Sequence, residues 1–139
     1  MKRIFSLFLI LTAMVAFSCS DDAVSPNGGG GLGGGGGNGG GGVTFTIGTK
    51  QGQQGGIVFT FKPSTDVTLT TATLKLPAQQ YEDVLTNPDP STVFTAQNVY
   101  DLDEYTGVVS GQQWTITFVG KLGSTTGTAF TVTANYTIP

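Results

Sequence analysis

The chain has 139 residues and a mass of 14.3 kDa, which allows one small domain with a modest hydrophobic core. It contains no histidine and one cysteine, so an intrachain disulfide, a histidine-based catalytic arrangement and a typical zinc site are excluded. The formal net charge is -3 and the lysines of residues 43–139 are scattered singly, so a nucleic acid is not an expected partner.

The N-terminus has the layout of a secretory signal. Lys2-Arg3 is followed by an apolar run over residues 4–17 and then by Ser18-Cys19. The apolar run is shorter than the roughly 20 residues that a transmembrane helix needs, and the polar Ser20-Asp21-Asp22 ends it. We therefore predict that residues 1–18 are a signal peptide.

The end of this segment, Ala16-Phe17-Ser18-Cys19, resembles the bacterial lipobox, although Phe17 departs from the pattern. The resemblance implies that Cys19 is acylated and becomes the first residue of the mature protein. Two or three acyl chains, at about 0.8 kcal/mol per buried methylene, would anchor the chain durably in a membrane. An ordinary secreted protein with a chance cysteine at the cleavage site is the alternative.

The acidic Ser20-Asp21-Asp22 is similar to the export signal that follows the lipidated cysteine in lipoproteins of Bacteroidota. The resemblance implies a lipid-anchored protein of the cell envelope, with the outer membrane as its expected location. The resemblance is compatible with exposure at the cell surface. It does not decide whether the domain faces the periplasm or the outside of the cell.

A glycine tract follows. Every residue from 28 to 42 is glycine except Leu32 and Asn38, and such a composition favours a flexible coil. Residues 19–42 are therefore predicted to be a tether, with a span of roughly 25 Å for a random coil of this length. Residues 31–36 match the dinucleotide-binding pattern GxGxxG, but no strand or helix is predicted beside them, so no nucleotide site is expected.

Residues 43–139 alternate between apolar and polar residues, as expected of β-strands with one buried face. Strands are predicted near residues 43–47 and 57–61, with Pro63 ending the second. In residues 67–76 the apolar positions change from odd to even numbers, which indicates either a β-bulge or a strand that crosses between two sheets. Residues 79–85 are predicted to include one helical turn.

Turn-forming residues at 87–90 separate this region from two further predicted strands, at 92–97 and 99–105. Two longer strands follow, joined by a hairpin over residues 120–127. In the first, Trp114 shares a face with Ile116 and Phe118. This spacing favours a core position for Trp114 over an exposed sugar-stacking platform.

About seven short strands in residues 43–139 predict an all-β fold, an antiparallel sandwich of the immunoglobulin-like or fibronectin type III class. Residues 111–138 resemble the end of Ig-like domains in bacterial surface lipoproteins. The resemblance implies a fold and no particular function.

Two groups of residues are candidate binding sites. Tyr81, Tyr100 and Tyr105 lie outside the clearest alternation and are candidates for an exposed aromatic surface. Asp101, Asp103 and Glu104 offer the carboxylate oxygens that calcium prefers, although a solvated loop or sheet edge is the favoured explanation because no glycine-turned loop of ligand spacing surrounds them.

A paired-carboxylate glycosidase could in principle use these three acidic residues together with Glu82 and Asp83. A sandwich this small rarely encloses a substrate cleft, so we expect neither an enzyme nor a cofactor. The sequence instead predicts a lipid-anchored interaction or adhesion module for a protein or glycan. A structural or accessory subunit of an envelope assembly is the alternative, and the oligomeric state is left open.

Overall fold

The computed structural model describes residues 42–139. The predicted signal peptide, the lipidation of Cys19 and nearly all of the predicted tether lie outside the described residues. The strands within them are β1 (Phe45–Gln51), β2 (Ile57–Pro63), β3 (Val67–Leu76), β4 (Tyr81–Thr86), β5 (Val93–Phe94), β6 (Tyr100–Tyr105), β7 (Gln113–Leu122) and β8 (Ala129–Thr137). A short 3₁₀ helix at Pro77–Gln79 joins β3 to β4.

These strands form two antiparallel sheets. One has three strands in the order β1-β2-β6, and the other has five, in the order β4-β3-β7-β8 with β5 also paired to β3. The chain crosses from the first sheet to the second after β2 and returns with β6, which pairs with β2. The predicted all-β, Ig-like sandwich is therefore confirmed, with eight strands in residues 42–139 where about seven are predicted.

Aromatic rings fill the space between the sheets. Phe45 of β1 stacks on Phe118 of β7 with 4.1 Å between ring centroids, and Phe59 of β2 lies 4.9 Å from Trp114. Trp114 is 4% exposed, and its indole N–H donates a 3.2 Å hydrogen bond to the side chain of Gln112. The predicted core position of Trp114 is therefore confirmed.

Of the two alternatives predicted for β3, the bulge is the one present. The pairing of β3 with β7 shifts register between Leu69 and Thr71, so Thr70 is the extra residue. Asn87 satisfies the backbone there, because its main-chain N–H donates to the Thr70 carbonyl and its side-chain amide donates to the Leu69 carbonyl, both at 2.9 Å. Opposite the bulge, a Cβ at Gly120 would overlap the backbone of β3, so glycine is required there.

Two predicted elements are wrong. Residues 79–85 are not a helical turn, because β4 pairs with β3 from Tyr81 onward and only Pro77–Gln79 is helical. Pairing with β3 satisfies more backbone groups than one isolated turn can, and Gln80 makes the reversal in the left-handed conformation, at φ 51°. The strand predicted at 92–97 is reduced to Val93–Phe94.

Candidate interaction surface

The outer face of the five-stranded sheet carries rows of threonine side chains. Because directly paired residues of antiparallel strands share a face, the pairing of Thr73 with Thr117, and of Thr117 with Thr133, puts three hydroxyls in one row across β3, β7 and β8. Their neighbours Ile116 and Phe118 are fully buried on the opposite face. We call this surface the hydroxyl face; its polar members are Thr71, Thr73, Thr115, Thr117, Thr131, Thr133 and Asn135, and the apolar Val119 lies among them, between Thr71 and Thr131.

The hydroxyl face is uncharged and its polar groups are partly linked. The hydroxyls of Thr117 and Thr133 lie 3.0 Å apart, and Thr115 donates a 3.1 Å hydrogen bond to the Asn135 side-chain oxygen. Lys75 and Glu82 continue the row of Thr115 toward β4, and they neutralise each other in an ion pair of 3.0 Å. The surface therefore offers neutral donors and acceptors at sheet spacing.

One end of this face opens into a pocket of about 440 Å³, where the 3₁₀ helix leaves the sheet beside the start of β7 and the end of β8. It is an open depression rather than an enclosed cavity. Hydroxyl, amide and aromatic groups line it, and none is charged. The lining residues are Pro77, Ala78, Gln113, Trp114, Thr115, Asn135, Tyr136 and Thr137. Sequence reasoning missed this surface, because the outward threonines also suit an ordinary solvated strand.

The structure places Tyr105 inside the sandwich. It is 8% exposed, its ring meets Phe59 edge-on at 5.7 Å between centroids, and its hydroxyl donates a 3.0 Å hydrogen bond to Asp83. Burial, reinforced by the charge of Asp83, raises the pKa of Tyr105 well above its ordinary value of 10.0. The predicted exposure of Tyr105 is therefore wrong.

The reason lies in β6, where the register with β2 shifts opposite Phe59. Tyr100 and Leu102 lie on the more buried face of β6, so simple alternation would point Tyr105 outward. The shift turns Tyr105 inward instead. Tyr105 is the last residue of β6, and one residue sets no alternation of its own, so the sequence does not mark this flip as it marks the one in β3.

The other two candidate tyrosines are half-buried. Tyr100 stacks on Phe61 at 5.5 Å between centroids, and its hydroxyl accepts a 2.7 Å hydrogen bond from the Thr95 N–H. Tyr81 meets Trp114 edge-on at 6.0 Å. Both tyrosines pack against the core, so the three candidates do not form one exposed aromatic platform.

The structure does not bring the candidate calcium ligands together. Asp101 pairs with Lys50 at 2.7 Å, and Asp103 accepts a hydrogen bond from the backbone N–H of Glu104. Glu104 accepts three backbone N–H groups from the turn between β1 and β2. Within residues 42–139 no group of three or more His, Cys, Asp or Glu side chains is close enough to hold a metal ion.

Two more carboxylates belong to the glycosidase hypothesis, and each has a partner. Glu82 pairs with Lys75, and Asp83 accepts the hydrogen bond of Tyr105.

No protein-family model, curated protein or solved structure matches the chain. Between residues 42 and 139, no helix has the length and apolar character needed to cross a membrane.

Proposed function

We propose that the chain is a non-catalytic interaction module, anchored by lipid at Cys19, that binds a neutral glycan on the hydroxyl face. One observation carries the ligand chemistry: an uncharged array of hydroxyl and amide groups runs along three strands and ends in a pocket of about 440 Å³. Neutral donors and acceptors match the hydroxyls of a glycan, and the strands hold them in fixed positions. A rigid array binds without the entropic cost of ordering its groups.

The anchor is supported by the lipobox-like sequence and by the position of the chain's single cysteine. The predicted glycine tether would let the domain reorient at the membrane and reach ligands beyond the headgroups. Metabolic labelling with palmitate and Triton X-114 partitioning test the anchor. Wild-type protein should be labelled and enter the detergent phase, whereas Cys19→Ala should do neither. Labelling or detergent partitioning retained by Cys19→Ala would refute the lipid anchor.

A glycan array probed with residues 42–139 tests the ligand. The double variant Thr115→Ala, Asn135→Ala removes two polar groups at the junction of the face and the pocket. At about 1 kcal/mol per hydrogen bond, it should weaken binding roughly tenfold or more. Thr46→Ala, an exposed threonine on the other sheet, is the matched control and should leave affinity unchanged.

A parallel pull-down from envelope extract distinguishes a glycan ligand from a protein ligand. Silence on the array together with one stable protein partner would refute the glycan and support the protein version of the module. Equal binding by the double variant and by wild type would refute the location of the site.

An accessory subunit of an envelope assembly is the second candidate, and a specific feature favours it. Strand β8 forms one edge of the five-stranded sheet and carries no charged residue. Such an edge can accept a further strand. A protein partner that is lost in Thr133→Lys, which places a charge in the middle of β8, while the double variant retains it, would favour this function over the glycan module.

A further inference from the structure

The edges of the two sheets differ in charge. The three-stranded sheet ends in β1, which carries Lys50, and in β6, which carries three carboxylates. On one side the five-stranded sheet ends in β4, with Glu82 and Asp83, beside the two-residue strand β5. On the other side it ends in β8, whose nine residues include neither a charge nor a proline. Charges, prolines and bulges are the usual protection of an edge against further pairing, and β8 has none of them.

The pairing of β8 with β7 is also regular. It runs from Gln113 opposite Thr137 to Lys121 opposite Ala129 without a register shift. An edge that is long, straight and uncharged is the kind that accepts another strand.

The backbone of β8 has hydrogen-bonding groups directed away from β7. Ile138 exchanges hydrogen bonds with residues 111 and 112, which places the even-numbered residues on the side of β8 that bonds to β7. The alternation of antiparallel pairing then directs the N–H and C=O groups of Thr131, Thr133 and Asn135 toward the free edge. Within residues 42–139 no backbone group is paired with them. The contact of Tyr136 with Thr49 joins side chains only.

We propose that β8 pairs antiparallel with β8 of a second copy of this chain about a two-fold axis at Thr133. Thr133 is the middle residue of Ala129–Thr137, so this register overlaps all nine residues of both strands. It places Thr133 opposite its own copy and Thr131 opposite Asn135. The backbone groups that meet are those directed toward the free edge. The two five-stranded sheets then become one continuous sheet.

A second copy fits this edge because two-fold pairing brings a strand against itself, and like charges opposite each other are destabilising. Self-pairing of β6 would bring together two sets of three carboxylates, and self-pairing of β4 two sets of two. Among the long edges, β8 alone brings no charge into the pairing. The register also keeps odd-numbered residues opposite odd-numbered ones, so the hydroxyl face continues across the pair. The inference stands whether or not that face binds a glycan.

Cysteine cross-linking of the full chain tests the register. Residues opposite each other in an antiparallel pair have Cα atoms about 4.5–5.5 Å apart, within the range of a disulfide. Under mild oxidation Thr133→Cys should therefore form a covalent dimer about tenfold faster than Thr86→Cys, a matched exposed threonine on the charged edge. The wild-type chain is the control for disulfides that form through Cys19. Cross-linking of Thr133→Cys no faster than Thr86→Cys would overturn the proposal.

The mass of the purified full chain in detergent, from light scattering with the detergent contribution subtracted, provides a second measurement. Wild-type protein should be a dimer. Thr133→Lys, which places two ammonium groups at the two-fold axis, should be a monomer that still unfolds cooperatively, with a melting temperature that no longer depends on protein concentration, and Thr86→Lys should remain a dimer. A monomeric wild type, or a dimer that survives Thr133→Lys, overturns the pairing. If Thr133→Lys does not fold, Thr131→Lys combined with Asn135→Lys serves the same purpose, because the register places these two lysines opposite each other.

Discussion

The carboxylate of Glu104 holds the turn between β1 and β2, and its removal gives the sharpest test of the fold. Its two oxygens accept the backbone N–H groups of Gln53 at 3.1 Å, Gln54 at 2.9 Å and Gly56 at 2.8 Å. The turn wraps closely around this carboxylate, since a Cβ at Gly52 would overlap it. A single side chain of β6 thus satisfies three donors of a distant turn.

The expected magnitude follows from the burial of these donors. Gly56 is buried, so Glu104→Ala leaves its N–H without an acceptor, which costs about 1–3 kcal/mol. Gln53 and Gln54 are exposed and their N–H groups can bond to water, so the loss of each hydrogen bond adds at most a few tenths of a kcal/mol to the cost. We expect a total loss of about 2 kcal/mol, which lowers the melting temperature of a domain this size by roughly 8–16 °C. Glu104→Gln keeps one carbonyl oxygen and should lose about half as much.

Thermal and denaturant unfolding, followed by the fluorescence of the buried Trp114, measures the loss. Asp103→Ala is the matched control, because its carboxylate accepts one exposed hydrogen bond, from the N–H of Glu104. Amide exchange at Gly56 should also accelerate in Glu104→Ala. Equal melting temperatures for Glu104→Ala and Asp103→Ala would refute the assignment of this carboxylate to the turn.

Three further outcomes are expected. Gly120→Ala forces a Cβ into the backbone of Thr68 and should cost about 1–3 kcal/mol in a denaturant titration, whereas an unchanged midpoint would contradict the close approach. Tyr105→Phe should lower stability at neutral pH by about 1 kcal/mol, through loss of the hydrogen bond to Asp83. Because folding raises the pKa of Tyr105, wild-type stability is intact below about pH 10 and falls above it as the unfolded tyrosine ionises; a pH series of melting temperatures should show a smaller alkaline loss in Tyr105→Phe. Asp101→Asn breaks an ion pair whose side chains are half exposed and should lower the melting temperature by at most about 4–8 °C, since such a pair contributes about 0–1 kcal/mol.

Part of the hydroxyl face could be predicted from the sequence, and part of it could not. That β7 and β8 point threonines outward follows from their alternation with Trp114, Ile116 and Phe118. That Thr73 of β3 joins the same row depends on which strands are neighbours and in which register. Neighbours and register are set by long-range pairing, so the sequence predicted outward hydroxyls without predicting a continuous surface or its pocket.

The sequence by itself determined the class of the domain, the core position of Trp114 and the change of phase in β3, because each depends on the period of apolar residues along the strands. Only the tertiary structure decided that Tyr105 is buried, that Glu104 holds a turn, and that residues 81–86 form a strand. These outcomes depend on partners about twenty to fifty residues away for Tyr105 and Glu104, and on the pairing of β4 with β3. The local pattern around a residue carries no information about which distant strand will satisfy its backbone or cover its side chain.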